Sequence, residues 1–110
     1  MYYVYMLLCR GDSLYTGITP DLKHRMRQHM GQIKGGARFT ALRPPQEIAA
    51  LWTCPDRSTA SKAEYAIKTL SPTEKRQLTA DPALLTTLLP RLDGLELEPL
   101  LGQTLEALLK

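Results

Sequence analysis

Residues 2–9, Tyr-Tyr-Val-Tyr-Met-Leu-Leu-Cys, are apolar or aromatic almost without interruption, the pattern of a strand covered on both faces. Arg10-Gly11-Asp12-Ser13 supplies turn formers and Leu14-Tyr15-Thr16-Gly17-Ile18-Thr19 resumes an extended pattern, so the chain is expected to open with a β-hairpin. Thr19 as an N-cap, Pro20 at the first helical position and Asp21 in the first turn predict a helix over 20–30, closed by Gly31. Residues 32–45 carry Gly35-Gly36 and Pro44-Pro45 around Lys34, Arg38 and Arg43, which predicts a basic, irregular loop. A third strand is expected over 47–53. Ser58 can cap a second helix running to 70, which Ser71-Pro72 ends while starting a short one.

Beyond Asp81 leucine becomes frequent, basic residues nearly vanish, and Pro82, Pro90 and Pro99 divide the segment. Two short helices are expected, over 82–89 and 98–109. Their Leu spacing suits packing on the body, on a second copy of the chain, or on another protein. The expected organisation is a body over 1–80 with a Leu-rich helical extension over 81–110.

A chain of 110 residues closes one core and not two, and 44% hydrophobic with 23% charged residues is the balance of a folding globular chain. No apolar run approaches the roughly 18 residues of a membrane span. The N-terminus reads into a strand without a charged leader, so a cytoplasmic protein is expected. Cys9 and Cys54 lie far apart without Cys-x-x-Cys spacing, which argues for reduced thiols. Residues 1–80 hold 12 basic against 6 acidic residues, and residues 81–110 hold 2 against 5. A basic body with an acidic tail is compatible with a polyanionic partner and equally with an ordinary solvated surface.

Three features resist explanation as packing. Leu22, Arg25, Met26 and His29 fall on one helical stripe, so a guanidinium and an imidazole share the apolar side of the first helix. Either Arg25 lays its stem over the core with His29 as a satisfied boundary residue, or both serve a site. Glu64 sits among Ala60, Ala63, Ile67 and Leu70 on the second helix, where it is a salt-bridge partner, Arg25 included, or a metal ligand or acid-base group. Tyr3 and Tyr5 share a strand face, with Tyr15 on the neighbouring strand. A zinc site from Cys9, His24, His29 and Cys54 lacks a ligand pair with zinc-finger spacing, and Cys9 as a nucleophile has no more support.

Tyr3-Val4-Tyr5, Tyr15-Thr16-Gly17, Arg25 with His29, and Glu64, in that order and at those spacings, resemble the GIY-YIG nuclease superfamily. Leu14 to Thr19 with Asp21-Leu22 and Arg25, Ala37-Arg38-Phe39-Thr40, and Ala63 to Lys68 are similar to its small stand-alone bacterial branch. The likeness extends over residues 2–80. It implies an α/β (α+β) fold in which a three-stranded antiparallel sheet is flanked by helices. The implied activity is hydrolysis of DNA phosphodiesters, of the kind used in DNA repair or processing, with one Mg²⁺ or Mn²⁺. Carried over by position, Tyr5 and Tyr15 are the motif tyrosines, either of which could activate water. Tyr3 and Gly17 complete the motifs, Arg25 is the catalytic arginine, His29 assists proton transfer, and Glu64 holds the metal. Lys23 and Arg27 on the other side of the first helix, with Lys34, Arg38 and Arg43 of the loop, are the expected contacts to nucleic acid. Tyr3 stands where the motif has Gly, and Thr16 where it has Ile. No Asn follows Glu64, as in many active relatives, or occurs anywhere in the chain. That leaves a non-catalytic nucleic-acid-binding module as the second reading.

Overall fold

The computed structural model describes residues 1–110. The apolar run at the N-terminus is strand β1 (Tyr2–Cys9), paired antiparallel with β2 (Ser13–Thr19) on one side and β3 (Pro45–Cys54) on the other. Its position inside the sheet is the reason the run does not alternate: both faces are covered. A fourth strand, β4 (Glu98–Pro99), adds to the outer edge of β3, giving the order β2-β1-β3-β4 where three strands were expected. Two residues are too few to leave an alternating signature. Their pairing with Trp52 and Thr53 occupies part of an otherwise open edge.

Helix α1 spans Leu22–His29 and is capped by Asp21, whose side chain accepts from the His24 amide at 3.1 Å. Thr19 was the expected cap. Its hydroxyl is instead engaged with the backbone of Asp21, which leaves Pro20 outside the helix. The region expected to be irregular contains α2 (Arg38–Leu42). Helix α3 (Arg57–Lys68) starts from Asp56 and not Ser58, because the Asp56 carboxylate already accepts from the Thr59 amide at 2.8 Å. Helix α4 (Pro72–Ala80) opens with a capping box between Ser71 and Glu74. The extension is more broken than its Leu spacing suggested. Pro82 and Pro90 each start a turn of 3₁₀ helix, with α5 (Leu85–Leu88) between them, and the second expected helix is cut to α6 (Leu105–Leu109), its first residues pairing as β4.

The pleat of β1 divides the interior in two. Val4 and Met6 point to one face with Ala50, Trp52 and Cys54 of β3, where Ala60, Ala63, Ala66 and Ile67 of α3 close over them. Leu78, Leu85, Leu89 and Leu92 belong to this same cluster, and the Trp52 indole N–H donates to the Pro82 carbonyl at 3.1 Å. Tyr5, Leu7 and Cys9 point to the other face, against Leu22 and Met26 of α1 and Leu105 of α6. Cys9 and Cys54 are therefore buried free thiols in separate clusters, and no group of His, Cys, Asp and Glu gathers in the manner of a zinc site. No helix is long and apolar enough to cross a membrane.

Leu85 is only 3% exposed, whereas Leu101 is 72% exposed. Leu85→Ala should therefore lower the unfolding free energy by about 2–4 kcal/mol. Leu101→Ala should change it by less than about 0.5 kcal/mol. Urea unfolding followed by Trp52 fluorescence measures both, and equal effects would contradict this account of the core.

Candidate active site

The register of the hairpin places Tyr5 opposite Gly17 and Leu7 opposite Tyr15. The Tyr5 phenol lies directly over Gly17, where an added Cβ would collide with the phenol's Oη and Cζ. Glycine at this position is a steric requirement of the ring facing it. In that place the phenol reaches the C-terminal end of α1, with Oη 2.7 Å from Nε2 of His29. Nδ1 of His29 is 2.9 Å from Oγ1 of Thr40, whose hydroxyl donates to the Ala37 carbonyl at 3.0 Å.

The direction of this chain follows from its end. A carbonyl can only accept, so the Thr40 hydroxyl spends its hydrogen on Ala37 and accepts from His29 Nδ1–H. Nε2 then carries the lone pair and accepts from the Tyr5 hydroxyl. Of the two neutral tautomers only this one satisfies all three contacts, and burial of the ring favours the neutral form. Burial, joined by the nearby positive charge of Arg25, pulls His29 down to about 4. Burial likewise pushes the Tyr5 phenol above its usual range, which Arg25 only partly reverses and the charges of Tyr15 and Glu64 reinforce. At neutral pH Tyr5 is a proton donor and His29 an acceptor.

Aromatic rings continue the cluster toward solvent. Tyr15 meets the His29 ring edge-on at 5.1 Å and Phe39 at 5.5 Å, and the Arg43 guanidinium lies 5.2 Å from the Phe39 centroid. Thr40 and Phe39 both come from α2, inside the segment expected to be an irregular loop. Both lie in the Ala37-Arg38-Phe39-Thr40 segment that carries part of the family resemblance, but neither had a site role in the sequence reading. Arg25 is half-buried, donating to Oε1 of Gln28 at 2.9 Å and to the Gly35 carbonyl at 2.8 Å, while Gln28 reaches the Lys34 carbonyl at 3.1 Å. The loop is thus strapped to α1. Gly36 permits the approach, since a Cβ there would enter the Gln28 carbonyl.

Glu64 is at the margin of the α3 stripe and not at its centre, with its side chain 26% exposed. Its ion pair is with Lys68 one turn away at 3.3 Å, and Arg25 is not its partner. Helices α1 and α3 cover opposite faces of the sheet, so Arg25 and Glu64 reach the site from different sides of it. The Glu64 charge nevertheless acts on the Tyr5 phenol. With no cluster of three or more metal-ligating side chains, Glu64 offers a single hard carboxylate. That suits an ion such as Mg²⁺, which keeps most of its waters and takes further oxygens from a phosphate.

The remaining predicted residues lie around this centre. Lys23, Arg27, Lys34, Arg38 and Arg43 are all exposed. Lys34 lines a cleft of about 390 Å³ that reaches back to His29 and Thr40. Tyr3 lies further along β1, opposite Thr19, beside a second cleft lined by Lys23 and Leu108.

Residues 1–77 match the GIY-YIG catalytic domain. A UPF0213 protein of Desulfotalea psychrophila is 49% identical over 77 residues, 70% of this chain and 69% of its own length. A UPF0213 protein of Yersinia pseudotuberculosis is 44% identical over 91 residues, 80% of this chain and 92% of its own. Against UPF0213 proteins of Xanthomonas campestris the chain spans 64% of the relative's length. The solution NMR structure of the UPF0213 protein BH0048 from Bacillus halodurans is 33% identical, covering 79% of this chain and 95% of that one, with a TM-score of 0.48. The chain belongs to the GIY-YIG catalytic-domain family, a nuclease superfamily, and to its UPF0213 members.

The depressed His29 has a consequence for stability. As pH falls through 6.5 the unfolded imidazole takes up a proton that the folded one refuses until about 4. The unfolded state then binds more protons, so unfolding free energy drops as pH falls through that window and is unaffected by this residue above it. His29→Gln should flatten the upper part of the window, before the carboxylates titrate. Urea midpoints against pH for both proteins test this, and identical slopes would refute it.

Proposed function

We propose that this chain is a metal-dependent nuclease hydrolysing phosphodiester bonds in DNA, in repair or processing, with Tyr5 and His29 as its proton-transfer pair. The directed chain Tyr5 to His29 to Thr40 carries this reading. A water held at Tyr5 Oη gives up its proton to the phenol oxygen as the phenol's own proton passes to Nε2 of His29. Tyr5 thus ends neutral and His29 holds the proton, which it returns after bond cleavage. An imidazole held near 4 is a weak base in the free protein. Arrival of a phosphate beside Arg25 offsets the cation that opposes protonation, so His29 gains basicity when substrate is bound. Tyr15, which meets the imidazole only edge-on, buttresses the pair.

Arg25 has its Nη1 fixed by Gln28 and Gly35, which leaves other N–H groups to stabilise charge on the phosphoryl oxygens. Glu64 would hold one divalent ion, Mg²⁺ or Mn²⁺, which when bound supplies positive charge for the leaving oxygen. The exposed cations Lys23, Arg27, Lys34, Arg38 and Arg43 contact the phosphate backbone without reading sequence. A nucleic-acid-binding module without turnover is the second reading, favoured by the absence of any Asn.

A panel of single-stranded, duplex, flapped and branched DNAs incubated with Mg²⁺ or Mn²⁺ tests the proposal. Glu64→Ala and Arg25→Ala should abolish cleavage, and unchanged products in both would overturn the reading. Tyr5→Phe should slow cleavage at least about 100-fold. Gly17→Ala should be similarly impaired while remaining folded, because its methyl displaces the phenol from His29. Salt-sensitive binding with no products under either metal would favour the second reading.

A further inference from the structure

On the solvent side of α3, next to Glu64, lies a feature that neither core nor catalysis uses. Tyr65 is 70% exposed, the one aromatic among the exposed large hydrophobic residues. Lys62, Tyr65 and Thr69 fall on a single stripe by their three- and four-residue spacing, away from the buried stripe of Ala60, Ala63, Ala66 and Ile67. From the extension, Arg91 comes to lie 5.9 Å from the Tyr65 ring centroid, its Nη2 donating to Oγ1 of Thr69 at 3.1 Å. Lys62, Tyr65 and Arg91 line a cleft of about 220 Å³ floored by Leu92 and Leu95.

The chemistry of this cleft is selective. Neither Lys62 nor Arg91 forms an ion pair; the chain's ion pairs are Lys68 with Glu64 and Arg76 with Asp12. Arg91 uses one of its five N–H groups on Thr69, and the rest are free for an anion. It is also one of only two cations in an otherwise acidic segment, and it is the one placed against the ring. A largely exposed aromatic ring with one cation over it and a second lining the same cleft suits single-stranded nucleic acid: a base can stack on the ring's free side, and the cations take the flanking phosphates. A rigid duplex keeps its bases stacked inside and cannot use the ring.

We propose that Tyr65, Arg91 and Lys62 form a subsite for an unpaired nucleotide of a single-stranded or flapped substrate, leading away from Glu64. The subsite rests on the nuclease reading for the identity of its occupant. It gives the extension a role in substrate choice, since Arg91 is supplied from beyond the matched family segment.

The test is fluorescence anisotropy with labelled oligothymidylate and with a blunt duplex, using the full chain carrying Glu64→Ala in the presence of EDTA so that nothing is cut. Tyr65→Ala should weaken oligothymidylate binding roughly tenfold or more, Tyr65→Phe should preserve it, and duplex binding should not change. Arg91→Ala should reduce the slope of log affinity against log salt by about 0.7 for the single strand. Equal affinity of Tyr65→Ala and the parent for oligothymidylate overturns the subsite while leaving cleavage at Glu64 untouched. Equal loss on the duplex overturns it too. Failure of the chain to bind or cut any nucleic acid removes the nuclease reading and the subsite together.

Discussion

The hydrogen-bond register between β1 and β2 sets Tyr5 across from Gly17, and the arrangement of the candidate site depends on that one pairing. A strand register cannot be shifted by one residue without turning every side chain to the opposite face. Here such a shift would send Tyr5 into the α3 side and bring Val4 or Met6 toward His29. The register is held by burial on both faces at once, Val4 and Met6 on one, Tyr5 and Leu7 on the other. The geometry of the candidate site and core packing thus share a strand. Gly17 is the point where they meet, because the space its missing side chain leaves is the space the phenol occupies.

From that phenol, polarity is carried inward by a short directed chain ending on a backbone carbonyl. The Ala37 carbonyl decides which way the Thr40 hydroxyl points, the hydroxyl decides which imidazole nitrogen is protonated, and the imidazole decides that Tyr5 donates. The buried side-chain nitrogen and oxygen atoms are all partnered, so the resting order is complete from the phenol to the carbonyl. The segment that supplies Thr40 is fastened to α1 by Arg25 and Gln28. Arg25 therefore positions the loop as well as facing the site, and its substitution affects both.

The extension is bound into the same interior. Leu85, Leu89 and Leu92 cover the α3 side, Leu105 covers the α1 side, and β4 lies along β3 between them. It crosses from one face of the sheet to the other around the β3 edge. This route is what brings Arg91 to α3, while the acidic residues Glu96, Glu98 and Glu106 stay exposed.

Local chemistry was legible along the chain. The unbroken apolar run of β1 announced an inner strand, the hairpin followed from its turn residues, and Arg25, His29 and Glu64 stood out because each interrupts an apolar stripe. Those signals depend on residues a few positions apart, which backbone periodicity reports directly. Competition between nearby groups was not legible: Asp21 outbids Thr19, and Asp56 outbids Ser58, through hydrogen bonds only the folded backbone defines. The roles of Thr40 and Arg91 were not legible for a different reason. Their meaning comes from partners 11 and 22 residues away, His29 and Thr69. The sequence determined which side chains could do chemistry. Only the tertiary structure decided that His29 faces Tyr5, that Glu64 pairs with Lys68, and that α1 and α3 lie on opposite faces, because contacts between distant segments are set by packing the whole core at once.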